Sequence, residues 1–167
     1  MKRLTLMRHG DAQWKDLEVA DFARPLNRRG TSEAEAMARR LTELTLVPDL
    51  IIASPARRAQ QTAETLARQL ALGPRSIRYE EALYLGGAQE ILQLARTIGP
   101  RVLHLMIIGH NPGISELAHL LAPGGELGTA ALRTITFDTD QWSTVGPSVV
   151  KDVLNETPPS RLFGLFA

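Results

Sequence analysis

The chain has 167 residues, of which 44% are hydrophobic and 22% charged, the balance of one domain with a real core and an ordinary globular surface. A net charge of +1 excludes a whole-protein basic field of the kind that gathers nucleic acid, so any anion must be recognised locally, by particular arginines. There is no cysteine, which excludes disulfides, thiolate metal sites and every cysteine-nucleophile phosphatase, and fits a reducing compartment.

The opening MKRLTLMRHG has too short an apolar stretch for a signal peptide or a membrane span, and the expected location is the cytoplasm. Leu4 to Met7 reads as a first strand buried on both faces, stopping at Arg8-His9-Gly10. Asp11 to Arg29 reads as a polar loop with at most one helical turn. Ser32 and Glu35 have capping-box spacing, and Ala34, Met37, Ala38, Leu41 and Leu44 repeat with helical period, so a helix is predicted from Ser32 to Pro48. Asp49 to Ala53 is a second buried strand. Ser54-Pro55 reads as an N-cap with proline at the first position of the next helix, which Gly73-Pro74 closes.

Ser76 to Tyr79 is a short strand, Gln89 to Thr97 a helix, and Val102 to Ile108 the longest apolar run and the central strand. Asn111-Pro112 repeats the cap-plus-proline signal before a helix whose inner stripe is Ile114, Leu117, Ala118 and Leu121. After a glycine-rich loop, Leu132 to Phe137 is a strand, and the tail beyond Phe137 is weakly patterned. Strands alternating with helices predict an α/β fold: a single domain over 1–167, with a three-layer, mostly parallel, doubly wound sheet flanked by helices. In such sheets ligands bind outside the carboxyl ends of the strands.

Those ends carry the chemistry. The first strand is followed by Arg8, His9, Gly10 and Asp11; the second by Ser54, Pro55, Arg57 and Arg58; the central one by His110 and Asn111. Arginine presents a planar fork of donors to phosphate, and a neutral imidazole has a lone pair that attacks phosphorus. Neighbouring guanidinium charges keep that imidazole neutral. Each triplet alone is an ordinary turn; their recurrence at successive strand ends makes a phosphate site. His104 and His119 read as structural. His9 with Asp11, and His110 with His119, lack zinc-site spacing, and no P-loop signature is present.

Leu6-Met7-Arg8-His9-Gly10, Ser54-Pro55-Ala56-Arg57-Arg58-Ala59-Gln60-Gln61-Thr62 and Ile108-Gly109-His110-Asn111-Pro112 resemble the histidine phosphatase superfamily, which also holds the cofactor-dependent phosphoglycerate mutases. Arg8 to Ala12 and the Arg24-Pro25-Leu26 to Gly30 segment are most similar to SixA-type phosphohistidine phosphatases. The resemblance spans residues 3–137 and implies a phosphoglycerate mutase-like fold. It implies His9 as the nucleophile that becomes phosphohistidine, with Arg8, Arg58 and His110 on the phosphoryl oxygens. It singles out Arg58 over Arg57 and implies no metal or organic cofactor.

Ester-cleaving members place a glutamate two residues after a leucine beyond the third strand. Here Leu83 is followed by Tyr84 and Leu85, with Glu80 and Glu81 just upstream. A missing acid favours a P–N bond over an ester. The expected partner is a phosphohistidine-bearing protein. A small phosphorylated substrate with Glu81 as acid, and a phosphate-binding module without turnover, are the alternatives. Neither nucleic acid nor membrane is an expected partner. Arg24 and Arg28 read as a solvated loop pair.

Overall fold

The computed structural model describes residues 1–14 and 18–160. In chain order the elements are β1 (Lys2–Arg8), α1 (Arg28–Glu43), β2 (Leu50–Ala53), α2 (Arg57–Gln69), β3 (Ile77–Tyr79), α3 (Ala82–Leu85), α4 (Ala88–Arg96), β4 (His104–Gly109), α5 (Gly113–Leu121), β5 (Leu132–Phe137) and β6 (Val150–Glu156). The strands form one sheet in the order β3-β2-β4-β1-β5-β6. β1, β2, β3 and β4 run parallel; β5 runs against β1, and β6 against β5. This is the mostly parallel α/β sheet expected, with β5 as the one opposed strand.

Side chains alternate across a strand, so each strand serves two cores. Leu4, Leu6, Ile52, Leu105, Ile107 and Ile135 pack on one face against Ile91, Leu92, Ile114, Leu117 and Leu121 of α4 and α5. Met7, Ile51, Ala53, Met106 and Ile108 pack on the other against Met37, Leu41, Ala63 and Leu66 of α1 and α2. Three layers result because the apolar runs are buried on both faces.

β1 and β4 are neighbours, yet the chain leaves β1 for α1 on one face and leaves β4 for α5 on the other. Diverging connections open a crevice between the two strand ends. Arg8 pairs with Gly109 across the ladder and Ala53 with Ile108. His9, His110 and Ser54 therefore emerge side by side at one edge.

Several local expectations are corrected. α1 starts at Arg28, a turn before Ser32: Asn27 caps it by accepting the Gly30 N–H at 2.8 Å, so the Ser32–Glu35 pair lies inside the helix. Asn wins because its carbonyl reaches an open N–H there. Glu33 is buried in this helix. Ser54 accepts the Ala56 N–H at 3.2 Å, a turn that precedes α2 rather than its N-cap, which is Ala56. Asn111 likewise makes no backbone cap; its Oδ1 accepts from the Ser115 hydroxyl at 2.5 Å. The helical turn allowed for in the Asp11–Arg29 loop, by contrast, agrees with the structure: it is a 3-10 turn at Asp21–Ala23.

Residues 138–160 of the tail are structured. Trp142 is 2% exposed and donates to Val102 O at 2.7 Å, and β6 completes the sheet. Glu156 on β6 takes a two-pronged ion pair from Arg40 of α1, with both contacts at 3.0 Å.

The loop after β1 rests against the start of α1. A Cβ on Gly10 would lie 2.7 Å from Gly30 O, and one on Gly30 would drive into the Asp11 carbonyl. Gly30→Ala is therefore expected to lower the unfolding free energy by about 2 kcal/mol or more in urea titration. Gly125→Ala, which meets nothing within 4 Å, should leave it unchanged.

Candidate active site

His9 follows β1 directly and its backbone N–H donates to Gly109 O at 3.2 Å, which carries the β1–β4 ladder one step past the strand end. Its ring is 6% exposed. Nδ1 lies 2.7 Å from Gly10 O. A carbonyl only accepts, so Nδ1 bears the proton and Nε2 keeps its lone pair. That lone pair accepts from Arg58 Nε at 3.3 Å. Burial lowers the pKa of His9 to about 3, and the charges of His110, Arg58 and Arg8 push the same way, against the Gly10 hydrogen bond. The ring is neutral throughout the physiological range.

His110, 9% exposed, sits with its ring centroid 5.0 Å from that of His9. Its Nε2 is 2.7 Å from Ser54 Oγ, whose lone pair already accepts from Ala56 N. That hydroxyl has a second lone pair and can either donate to Nε2 or accept from it, and His110 Nδ1 is buried with no partner among the described residues. The site thus holds two neutral imidazoles, of which His9 presents its Nε2 lone pair. Burial lowers His110 to about 4, with Arg58 and Arg8 adding to the shift.

Arg58 emerges from the first turn of α2, 5% exposed. Besides His9 it donates Nη1 to Asp21 O at 2.8 Å and Nη2 to Asp21 Oδ2 at 3.1 Å. Arg57 is exposed and bonds Gln60 and Glu64 of its own helix. Arg8 ends β1, with Nη1 3.5 Å from Leu127 O and a buried Nε that has no partner among the described residues. Thr62 accepts the Gly10 N–H at 3.1 Å and donates to Arg58 O at 2.8 Å, tying the loop of His9 to the helix of Arg58. Glu33, with a pKa raised by burial, accepts from Asp11 N at 2.8 Å and Thr129 Oγ1 at 2.9 Å beneath the same loop.

The remaining candidates lie elsewhere. His104 is buried within β4, 2.7 Å from Thr5 Oγ1. His119 is exposed in the last turn of α5 and bonds the Gly124 backbone. Asn111 donates to Leu127 O at 2.8 Å and braces that loop. Glu81 is exposed at the start of α3, and Glu80 pairs with Arg78 at 3.4 Å. Arg24 is folded in, bonding Gln13 O and Asp21, while Arg28 is exposed on α1.

Two neighbours of the site escaped the sequence reading. Asp21 Oδ2 takes both Arg58 and the Tyr84 hydroxyl, the latter at 2.7 Å, and Oδ1 takes Arg24 at 3.2 Å. Tyr84 stands edge-on to His110 with centroids 5.5 Å apart, and Phe22 stands edge-on to Tyr84 at 5.1 Å. Asp21 lies in a polar loop without periodicity, and its pairing with α3 spans 63 positions. The one local cue was its place three residues before Arg24.

The histidine phosphatase superfamily (branch 1) matches residues 4–84. Phosphohistidine phosphatase SixA of Escherichia coli K12 is 32% identical over 141 residues, 80% of this chain and 84% of that protein. The chain belongs to the histidine phosphatase superfamily. Its activity class is accordingly that of a phosphatase. An uncharacterized chloroplastic protein of Arabidopsis thaliana is 30% identical over 129 residues, and the matched region is 72% of this chain and 59% of that protein. Among solved structures, the protein histidine phosphatase SixA complexed with tungstate superposes with a TM-score of 0.77 at 25% identity, covering 96% of this chain and 99% of that one.

Buried neutral imidazoles link stability to pH. In the unfolded chain both rings bind protons from about pH 6.5 downward, whereas folded His9 and His110 resist protonation to about 3 and 4. Between these limits the unfolded state binds more protons, so stability is full above the unfolded pKa and falls as pH drops. The melting temperature should decline from pH 7 to pH 5, and the His9→Gln, His110→Gln double variant should flatten that slope.

Proposed function

We propose that this protein removes phosphoryl groups through a covalent phosphohistidine on His9, and that its substrate is phosphohistidine on another protein. The observation that carries the reading is the fixed tautomer of His9: a neutral ring whose Nε2 lone pair lies in a nest of Arg58, Arg8 and the His110 ring. A nucleophile needs that lone pair, and a transferring phosphoryl group needs those donors.

In the first step His9 Nε2 bonds to phosphorus as the bond to the leaving group breaks. Arg58 Nε–H, released from the Nε2 lone pair, turns to a phosphoryl oxygen. Arg8 takes another, and His110 takes the third when its ring proton is on Nδ1, the nitrogen left without a partner among the described residues. Water then attacks phospho-His9, and phosphate departs with the ring restored.

The substrate reading rests on what surrounds the nest. An alkoxide leaving group gains much from a carboxylic acid. The position the family gives to its acid holds Leu85, 86% exposed, and Glu81 is exposed at the start of α3. The carboxyl group bonded to Arg58 is Asp21, held well below the usual carboxylate range chiefly by the Tyr84 hydroxyl and further by Arg58 and Arg24. It stays ionised and donates no proton. A P–N bond to imidazole needs less help from such an acid. The Escherichia coli relative is named a phosphohistidine phosphatase and the tungstate-bound structure is that of a protein histidine phosphatase, which supports the same reading.

Phosphate release from a histidine-phosphorylated carrier domain is expected to outpace release from a panel of phosphate esters. Fast ester turnover with a slow carrier would move the function to small molecules while keeping His9. His9→Ala should abolish turnover with the fold intact by circular dichroism. Arg58→Ala should lower kcat/KM by about a hundredfold or more, and Arg57→Ala should barely change it; equal losses would contradict the arrangement.

A further inference from the structure

From the placement of Asp21, Phe22 and Tyr84 at the mouth of the nest we infer a subsite for the departing imidazole, in which the Asp21 carboxylate holds the proton on the ring nitrogen that is not phosphorylated. The inference rests on the phosphohistidine reading and adds the residues that select the leaving group.

The geometry runs outward from the nucleophile. His9 Nε2 meets Arg58 Nε, and the same guanidinium meets Asp21 Oδ2 at 3.1 Å, so one planar group separates the attacking atom from the carboxylate. Arg58 and His110 are buried, whereas the Asp21 side chain is 42% exposed. With the nucleophile at the bottom, an in-line displacement sends its leaving group toward this outer layer. Asp21, Tyr84 and Phe22 form one side of that layer, and the two aromatic rings offer the departing ring an apolar wall.

The carboxylate has capacity for one more donor. An ionised carboxylate accepts about four hydrogen bonds. Among the described residues Oδ2 takes Arg58 and Tyr84, and Oδ1 takes Arg24. A second acceptor position on Oδ1 fits an imidazole N–H. Arg24 and Arg58 face the carboxylate from the same loop and from α2, and Tyr84 faces it from α3. The incoming phosphoryl dianion balances the two cations.

The chemistry gives that position a purpose. As His9 Nε2 bonds to phosphorus, the P–N bond breaks and its electron pair stays on the departing nitrogen. If the other ring nitrogen carries a proton, the ring leaves as neutral imidazole; without it, the leaving group is the far more basic imidazolate. That nitrogen titrates near neutrality, and an adjacent carboxylate favours the protonated form. An ester oxygen has no second nitrogen to protonate, and its developing negative charge is repelled by the same carboxylate. Asp21 thus favours P–N over P–O cleavage by a group that never gives up a proton.

Asp21→Asn tests this on two small substrates, N-acetylated phosphohistidine and p-nitrophenyl phosphate. The variant is expected to lose about thirtyfold in kcat/KM on the phosphoramidate, within the range of proton-handling groups, and less than about threefold on the ester. The alkaline limb of its phosphoramidate profile should fall by about one pH unit. Equal losses on both substrates would make Asp21 a support for Arg58 alone and overturn the inference, as would no loss on either. A second measurement needs no turnover: imidazole binding followed by saturation-transfer NMR should be tighter at pH 6 than at pH 8 in the unsubstituted protein and lose that dependence in Asp21→Asn. Binding that is absent, or unchanged by the substitution, would overturn the subsite. If phosphohistidine is not a substrate while imidazole binds in this way, the failure belongs to the proposed function and not to the subsite.

Discussion

The parallel ladder between β1 and β4 is the constraint from which the site follows. Met7 pairs with Ile108 and Arg8 with Gly109, and the His9 amide adds one more bond to the Gly109 carbonyl. A slip of one residue would turn Leu4 and Leu6 into the core built by α1 and α2, and Met7 into the one built by α4 and α5. Two hydrophobic cores therefore hold the register that sets two imidazoles 5.0 Å apart. The site's precision derives from packing on both faces of the sheet.

Electrostatics complete what the ladder begins. Arg8 and Arg58 stand near two histidines that burial has already made reluctant to ionise. A guanidinium resists deprotonation, so the arrangement concentrates positive charge without placing any of it on the imidazoles. Asp21 offsets part of that charge at the mouth. Glu33, under the loop of His9, bonds to Asp11 N and Thr129 and leaves the reacting groups alone. Two carboxylates thus divide the work, one toward the solvent side and one beneath the backbone.

The sheet, its crevice and the four residues at its edge were legible because they ride on strong local signals. Apolar runs such as Val102 to Ile108 mark buried strands, and Arg-His-Gly, Ser-Pro and His-Asn-Pro punctuate their ends. Helix starts were less legible. Ser32 and Glu35 have the spacing of a capping box, but Asn27, a turn earlier, reaches the open Gly30 N–H, and the packed face containing Gly30 and Glu33 extends the helix back to it. Asp21 and Tyr84 were illegible for a different reason: their hydrogen bond joins the loop after β1 to the short helix α3, far apart in the chain, and no periodicity encodes it. β6 was missed because its half-buried residues, Val150, Val153 and Leu154, are interspersed with charged and polar ones.

That interspersion bears on how copies of the protein meet one another. Among the described residues the sheet ends at β3 on one side and β6 on the other. β3 is only three residues long and exposes Arg78 and Tyr79. β6 exposes Lys151 and Asp152, and Arg40 reaches across from α1 to grip Glu156 near its end. A free strand edge is a template for another chain, and short length and charge blunt it. Both borders of this sheet are poor templates, so a fold with two open edges discourages strand-to-strand stacking at high protein concentration.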